Sequence, residues 1–323
     1  MKRSPWGLLG LLAAGQVQAL CAVQAGAPAA FGSVTSNQVQ VVSQPSSTSN
    51  AGLQCTGSLL TALRSDDYFK GTFSGANGST GLVGPTGDVI GYTLFANNSS
   101  SYPITRGQPY DFARNGIIDL LGLLGSITPK SIPVYLGTIT GSNVAAGLYT
   151  ETINVFWDWD YCWGIGLGAA CLGRQKLSGS SSFTVSLTVT NDCLITTPNI
   201  SFGGAPVVSG FATVNQSVSL SCTKGSAYTV GLNDGLYGAG GRRRMKAVNS
   251  NNYLAYDIFK SAGAVRWGSL TGARRSSSDA DINPGVGTGA GSQVFNYNAK
   301  VYTDQPTPPA DAYSDSVMLD VQF

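Results

Sequence analysis

The sequence predicts an all-β protein built from two similar domains, and three observations lead there. Glycine supplies 42 of the 323 residues while only 11% are charged. Exposed helix faces usually need more charge than that, whereas turn-rich β-structure does not. Short segments alternate apolar and polar residues between Gly, Asn, Ser and Pro, the period of a half-buried strand. Most informative, the chain carries one pattern twice.

The chain opens as an export signal: Lys2 and Arg3, then an apolar stretch from Trp6 to Ala14 that is too short to cross a bilayer. The sequence V-Q-A ends at Ala19 and again at Ala25. Cysteine parity selects the first. Cleavage after Ala19 keeps Cys21, Cys55, Cys162, Cys171, Cys193 and Cys222, an even set, whereas the later site leaves an orphan thiol in an oxidising compartment. Leu20 is too large for the small residue that precedes a lipid-bearing cysteine. Residues 1–19 are therefore read as a signal peptide, and an exported, soluble mature protein is expected. Removing Lys2 and Arg3 takes the basic count from 19 to 17, equal to the 17 acids. With zero net charge, attraction to nucleic acid or an anionic membrane is not the organising force, and no nucleic-acid partner is expected.

The two copies then follow in order. Cys21 leads through Phe31-Gly32 to LQCTG around Cys55, and Cys193 leads through Phe202-Gly203-Gly204 to LSCTKG around Cys222. YTLF at Tyr92 to Phe95 matches YDIF at Tyr256 to Phe259. AAGLYTETINVFW at Ala145 to Trp157 matches PADAYSDSVMLDVQF at Pro309 to Phe323. Tyr92 to Tyr149 and Tyr256 to Tyr313 are both intervals of 57 residues. Domains of residues 20–190 and 191–323 follow. In the second, Val218 to Cys222, Tyr228 to Leu232, Tyr253 to Phe259, Val294 to Tyr302 and Ser316 to Phe323 read as strands. The repeated pairs Cys21–Cys55 and Cys193–Cys222 would staple two early strands of each domain, each contributing about 3–4 kcal/mol at these loop lengths. Cys162–Cys171 is left to close a short loop.

The copies differ at their ends. After its Y-x-E-x-I-x-V strand the first continues into SSFTVSLTVTND, where Phe183, Val185, Leu187 and Val189 alternate as one more core strand. The second stops at Phe323, so an eighth strand is missing. A sandwich without its last strand exposes an apolar groove and a row of unpaired backbone groups, and is expected to borrow a strand by β-augmentation. The expected mature chain starts directly in its first strand, with no extension to donate. A subunit that accepts a strand without giving one belongs at the end of a fibre, which predicts a distal tip position.

These residues carry a family likeness. The pattern C-x(8–9)-FG, then CT, R-x-M at Arg243 to Met245, Y-x-[LI]-F, Trp267-Gly268 and Y-x-[DE]-x-[VI] resembles the spore coat protein U domain. That family includes subunits of archaic, Csu-type chaperone–usher pili. The second copy matches from Cys193 to the C-terminus, while the first matches at its start and end but lacks the WG and a clear R-x-M in its middle. The layout resembles the two-domain tip adhesin of such pili. The resemblance implies immunoglobulin-like β-sandwiches, the second completed by donor-strand complementation. It implies three partners: a periplasmic chaperone, an outer-membrane usher and an adjacent pilus subunit that donates its N-terminal strand. It also implies passage through the periplasm to the cell surface, and biofilm-forming attachment through hydrophobic loop fingers of the first domain, to a hydrophobic surface or to a host or matrix ligand.

Three stretches are candidates for those fingers. The first is FWDWDYCWGIGLGAAC at 156–171. Ile153, Val155 and Trp157 share one strand face, so Phe156 lies opposite and Trp157 borders on the core. Beyond Asp158, acids interrupt the apolar phase and the Cys162–Cys171 link would shape a protruding hairpin tipped by GIGLG. Trp157, Trp159, Tyr161, Trp163, Ile165 and Leu167 are therefore expected to form an exposed finger, since the second copy ends where this insertion begins. The second stretch is GIIDLLGLLGSIT, with Ile117, Ile118, Leu120, Leu121, Leu123 and Leu124; its counterpart in the second copy is polar and glycine-rich. The third is GLVGPTG, with Leu82 and Val83. Apolar loops on a rigid scaffold are a liability unless used, and one buried aromatic ring contributes about 2–3 kcal/mol to contact.

Catalysis is not expected. There is no histidine, which removes the usual general base and most zinc sites. Asp66 and Asp67, or Asp158 and Asp160, read as solubilising acids rather than a glycosidase pair. Arg242, Arg243, Arg244 and Lys246 read as a solvated face. No metal or cofactor is expected. Two other readings use the same residues: a structural shaft or coat subunit, and a glycan-binding tip adhesin with Trp159 stacking on sugar and Asp158 and Asp160 as hydrogen-bond partners.

Overall fold

A computed structural model describes residues 20–56, 64–114, 128–167 and 170–323, with the side chains of 164–167, 170 and 172 left undescribed. The expected signal peptide, residues 1–19, lies outside them. Among the described residues the regular structure is nearly all β, and it forms two immunoglobulin-like β-sandwich domains. Among the described residues no β-ladder joins strands on either side of residues 191–192, apart from an isolated bridge between Ala145 and Lys224.

In the first domain, a small sheet pairs Leu20–Val23 with Leu53–Thr56 and the latter with Lys130–Ser131. The larger sheet is dominated by two strands of 21 residues, Gly147–Leu167 and Ala170–Thr190, which form one antiparallel hairpin. Ala29–Thr35 pairs in parallel with the end of that second strand, Val185 to Thr190. Phe183, Val185, Leu187 and Val189 are buried on the inward face, as their alternation requires.

The second domain repeats the plan with one part absent. Its larger sheet runs in the order Cys193–Thr196, Val214–Cys222, Gln293–Val301, Tyr253–Lys260, Arg243–Ala247 and Tyr313–Ser314. A three-stranded sheet places Thr229–Leu232 between Arg275–Ser276 and Leu319–Gln322. Trp267 and Phe295 are fully buried between the sheets, and the Trp267 indole donates to the Val230 carbonyl at 2.9 Å.

All six cysteines pair as 21–55, 162–171 and 193–222. The first and last join residues directly opposite on neighbouring strands.

The R-x-M arginine is not solvated. Arg243 is fully buried and donates to the carbonyls of Leu232, Asn233 and Trp267 and to Asp257. Arg266 holds the other oxygen of Asp257 at 2.8 Å. The fork therefore satisfies backbone groups at a corner where strands diverge, a job for a planar, five-donor cation.

The domains meet through polar contacts. The buried hydroxyls of Ser36 and Thr223 lie 2.7 Å apart, Gln40 donates to the Gly289 carbonyl, and Asn143 donates to the Thr288 carbonyl. Lys224 pairs with Asp88 at 2.6 Å, which holds the Asp88 carboxyl below the usual carboxylate range, helped by the Ala145 N–H.

Candidate functional site

The aromatic stretch is a core rather than a finger over most of its length. Trp157, Trp159 and Tyr161 are at most 2% exposed. The reason is continuity of phase: Ile153, Val155, Trp157, Trp159 and Tyr161 occupy alternate positions on one inward face, and the strand does not end at Asp158. Tyr68–Gly75 pairs along it from Ile153 to Asp160 and brings Phe69 and Phe73 over the rings. Phe112 packs on Trp157 at 5.5 Å between ring centroids. Gly71, directly opposite Trp157, leaves the space that the indole fills; a Cβ there would lie 3.0 Å from it. Both indole N–H groups are satisfied, Trp157 by the Ala51 carbonyl at 3.1 Å and Trp159 by Gln175 at 3.3 Å. Gln175 also bonds both backbone groups of Cys21, tying the hairpin to the first disulfide.

The acids beside these rings form a buttress. Arg174, across the hairpin, bonds Asp160 and Asp66 and lies 3.5 Å from Asp67. Asp67 accepts from the backbone N–H groups of Arg64 and Cys162, and burial pushes its carboxyl up against the pull of these donors. Asp158 accepts from the Tyr68 hydroxyl. These carboxylates anchor the base of the hairpin. Sequence reading assigned them to solvent because Arg174, the cation shared by Asp66, Asp67 and Asp160, sits on the far arm.

Beyond the buttress the hairpin continues through the Cys162–Cys171 link. Trp163 is half-buried, packed against the edge of the core, with its ring over Gly173, whose φ of +109° suits glycine and whose hydrogen faces the indole. Ile165 pairs with Leu172 and Leu167 with Ala170 along the backbone, and their side chains lie outside the described residues. Ile117, Ile118, Leu120, Leu121, Leu123 and Leu124 also lie outside them. In the third stretch Leu82 is fully buried, because Gly81–Val83 is a strand with Leu82 inward, while Val83 is exposed.

The second domain holds a site that sequence comparison of the copies located. Tyr149, Glu151, Ile153, Val155 and Trp157 of the first domain are all buried. Their counterparts 164 positions on, Tyr313, Asp315, Val317, Leu319 and Val321, are all only half-buried. In the first domain, the strand Ala170–Thr190 lies between Gly147–Leu167 and Ala29–Thr35 and covers those residues. In the second domain, residues 197–205 and 313–322 take the flanking positions without a strand between them. The resulting groove comprises adjoining clefts of about 480 and 380 Å³, lined by Ile200, Phe202, Met245, Tyr313, Val317 and Leu319 among others.

A protein-family model for the Spore Coat Protein U domain matches residues 9–156 and 180–320, and the chain belongs to that family. Among solved structures it is similar to the chaperone–tip adhesion subunit pre-assembly complex CsuC–CsuE, from archaic chaperone–usher Csu pili of Acinetobacter baumannii. The identity is 26% over 94% of this chain and 100% of that one, with a TM-score of 0.63. A much looser match, the CupB6 tip adhesin of Pseudomonas aeruginosa, has 12% identity over 94% of each chain and a TM-score of 0.29. No curated protein matches the chain. The family and its solved pilus relatives are structural and adhesive components rather than enzymes, and this chain is not an enzyme. Among the described residues no helix is long and apolar enough to cross a membrane.

Proposed function

We propose that this chain is the tip adhesin of an archaic chaperone–usher pilus. Residues 191–323 form a pilin domain that accepts a strand, first from a periplasmic chaperone and then, at the outer-membrane usher, from the next subunit. Residues 20–190 form the contact domain that attaches the fibre to surfaces and promotes biofilm formation. The observation that carries the reading is the matched set of five alternating residues, buried in one domain and half-buried in the other. The likeness to a tip subunit captured with its chaperone supports the same assignment. Contact is assigned to the end of the hairpin, Trp163 to Leu167, together with Val83 and the apolar stretch from Ile117 to Leu124. Trp157, Trp159, Tyr161 and Leu82 are removed from the contact surface and become its foundation.

The test is complementation in cis. A strand patterned on Phe183–Thr190 is appended after Phe323 through a short Gly-Asn turn, so that it can fold back antiparallel to 313–322, as the corresponding strand does in the first domain. Covering the groove with four apolar side chains gains about 6–12 kcal/mol before ordering costs. The second domain should then unfold at a markedly higher temperature while remaining monomeric. An unchanged transition, or one raised equally by a scrambled strand, would refute strand acceptance.

A further inference from the structure

The outward face of the second domain's larger sheet carries a ladder of cations laid on aromatic rings. Arg242, Arg244 and Lys246 occupy alternate positions and point away from the core, while Arg243 and Met245 point inward. Their spacing along the strand is about 7 Å from one cation to the next. The Arg242 guanidinium lies 3.9 Å from the centroid of Tyr302, and that of Arg244 lies 4.3 Å from Tyr253. The Lys246 ammonium stands 6.0 Å from Tyr237, whose ring packs on Tyr253, and on the same face Lys300 stands 5.8 Å from Phe259.

The charges on this face do not cancel. Asp257 is held by Arg243 and Arg266, Asp234 by Arg266, and Asp304 by Arg242. Asp311, at the margin, bonds Asn249. Arg244, Lys246 and Lys300 have no ion-pair partner among the described residues. Three uncompensated cations thus share one face of a chain whose basic and acidic residues otherwise nearly balance. Stacking holds the two guanidinium groups in place before any ligand arrives, which lowers the ordering cost of binding.

We infer that this face binds an acidic polysaccharide, an extended chain bearing a carboxylate on each sugar. Arg244 and Lys246, about 7 Å apart on one strand, with Lys300 on the same sheet face, suit repeated point charges along such a chain. The Tyr302 and Tyr253 rings are already covered by guanidinium groups, which leaves little platform for base stacking and argues against single-stranded nucleic acid. The same covering removes the apolar centre that a protein interface needs. The site is remote from the strand-acceptor groove in role and does not depend on that reading: Arg244 and Lys246 face outward on the strand whose Met245 faces the groove. The surface would tether the base of the tip subunit to a charged matrix while the first domain makes its own contact.

The test uses the whole exported chain immobilised on a sensor, with polygalacturonate as the probe and neutral dextran and duplex DNA as comparisons. Polygalacturonate should bind, dextran should not, and affinity should fall at least tenfold between about 50 and 200 mM salt, because several counterions are released. The triple variant Arg244→Ser, Lys246→Ser, Lys300→Ser should lose at least tenfold with an unchanged melting midpoint. If that variant does not fold, Lys246→Glu alone, at a position outside the core, should lose at least threefold. Absence of polygalacturonate binding by the wild-type chain overturns the inference, as does equal binding by a folded variant. DNA binding as tight as that of polygalacturonate, and lost in the same variants, also overturns it.

Discussion

Replacing Trp159 by Ala distinguishes foundation from finger. The side chain is 2% exposed, its N–H bonds Gln175, and Trp157 and Tyr161 occupy the neighbouring positions on the same inward face. Removing such a ring loses its burial, leaves a cavity and frees a glutamine that also bonds Cys21, so the expected loss is about 3–5 kcal/mol. For a first domain of some 170 residues, about 2–4 °C of melting midpoint accompanies each kcal/mol, which predicts a fall of roughly 6–20 °C. Phe156→Ala is the internal comparison: that ring sits three residues away on the opposite, solvent face and should cost less than about 1 kcal/mol. Urea and thermal unfolding of the purified chain, followed by tryptophan fluorescence, read both. A Trp159→Ala protein within about 1 kcal/mol of wild type, yet unable to attach to plastic, would refute the burial argument and restore the exposed-finger reading.

Three further outcomes are expected. Ile165→Ser with Leu167→Ser should abolish attachment of piliated cells to polystyrene with pili counted as normal and the first-domain midpoint unchanged; a lowered midpoint would place these residues in the core. Arg243→Lys keeps the charge but forfeits most of the fork to Leu232, Asn233, Trp267 and Asp257, and should destabilise the second domain by about 3–5 kcal/mol in urea titration. Glu151 is buried and gripped by both arms of the Arg106 fork at 2.7 and 3.0 Å. Burial alone would raise its carboxyl, but the fork and neighbouring hydroxyls hold it below the usual range. The unfolded chain therefore binds that proton more readily. The stabilisation is present above about pH 4.3 and is lost as pH falls through the lower folded value. Glu151→Gln should lower stability at pH 7 and flatten the acid limb of a stability–pH curve, and an unchanged acid limb would refute the coupling.

Much of the site was legible because copies can be compared within one chain. The 164-residue offset aligned Tyr149 with Tyr313 and so set apart the alternating residues that are buried in one domain and half-buried in the other. The disulfide pairs followed from the same repeat. The failure at Trp159 and Tyr161 came from reading Asp158 and Asp160 as signs of a surface loop. Acids at even positions are compatible with an unbroken inward row at odd positions, and the row from Ile153 to Tyr161 was already in the sequence. Sequence could not show that Tyr68–Gly75, some 80 residues earlier, would lie alongside and roof the rings with Phe69 and Phe73. Nor could it show that Arg174 would neutralise the acids from across the hairpin. Leu82 and Val83 illustrate the same limit on a smaller scale, since one of two adjacent apolar residues faces inward only once the strand's pairing is set.

The sequence by itself determined the all-β class, the duplication, the cysteine pairing and the point where the two copies part, because these depend on period, spacing and comparison along one dimension. Tertiary structure decided which apolar residues are foundation and which remain for contact, and turned the run Arg242 to Lys246 into one buried pin and an outward ladder. Burial depends on which distant strand arrives at a given face, and the charge of a surface depends on which carboxylates the fold brings within reach. Neither is a property of neighbours in the chain.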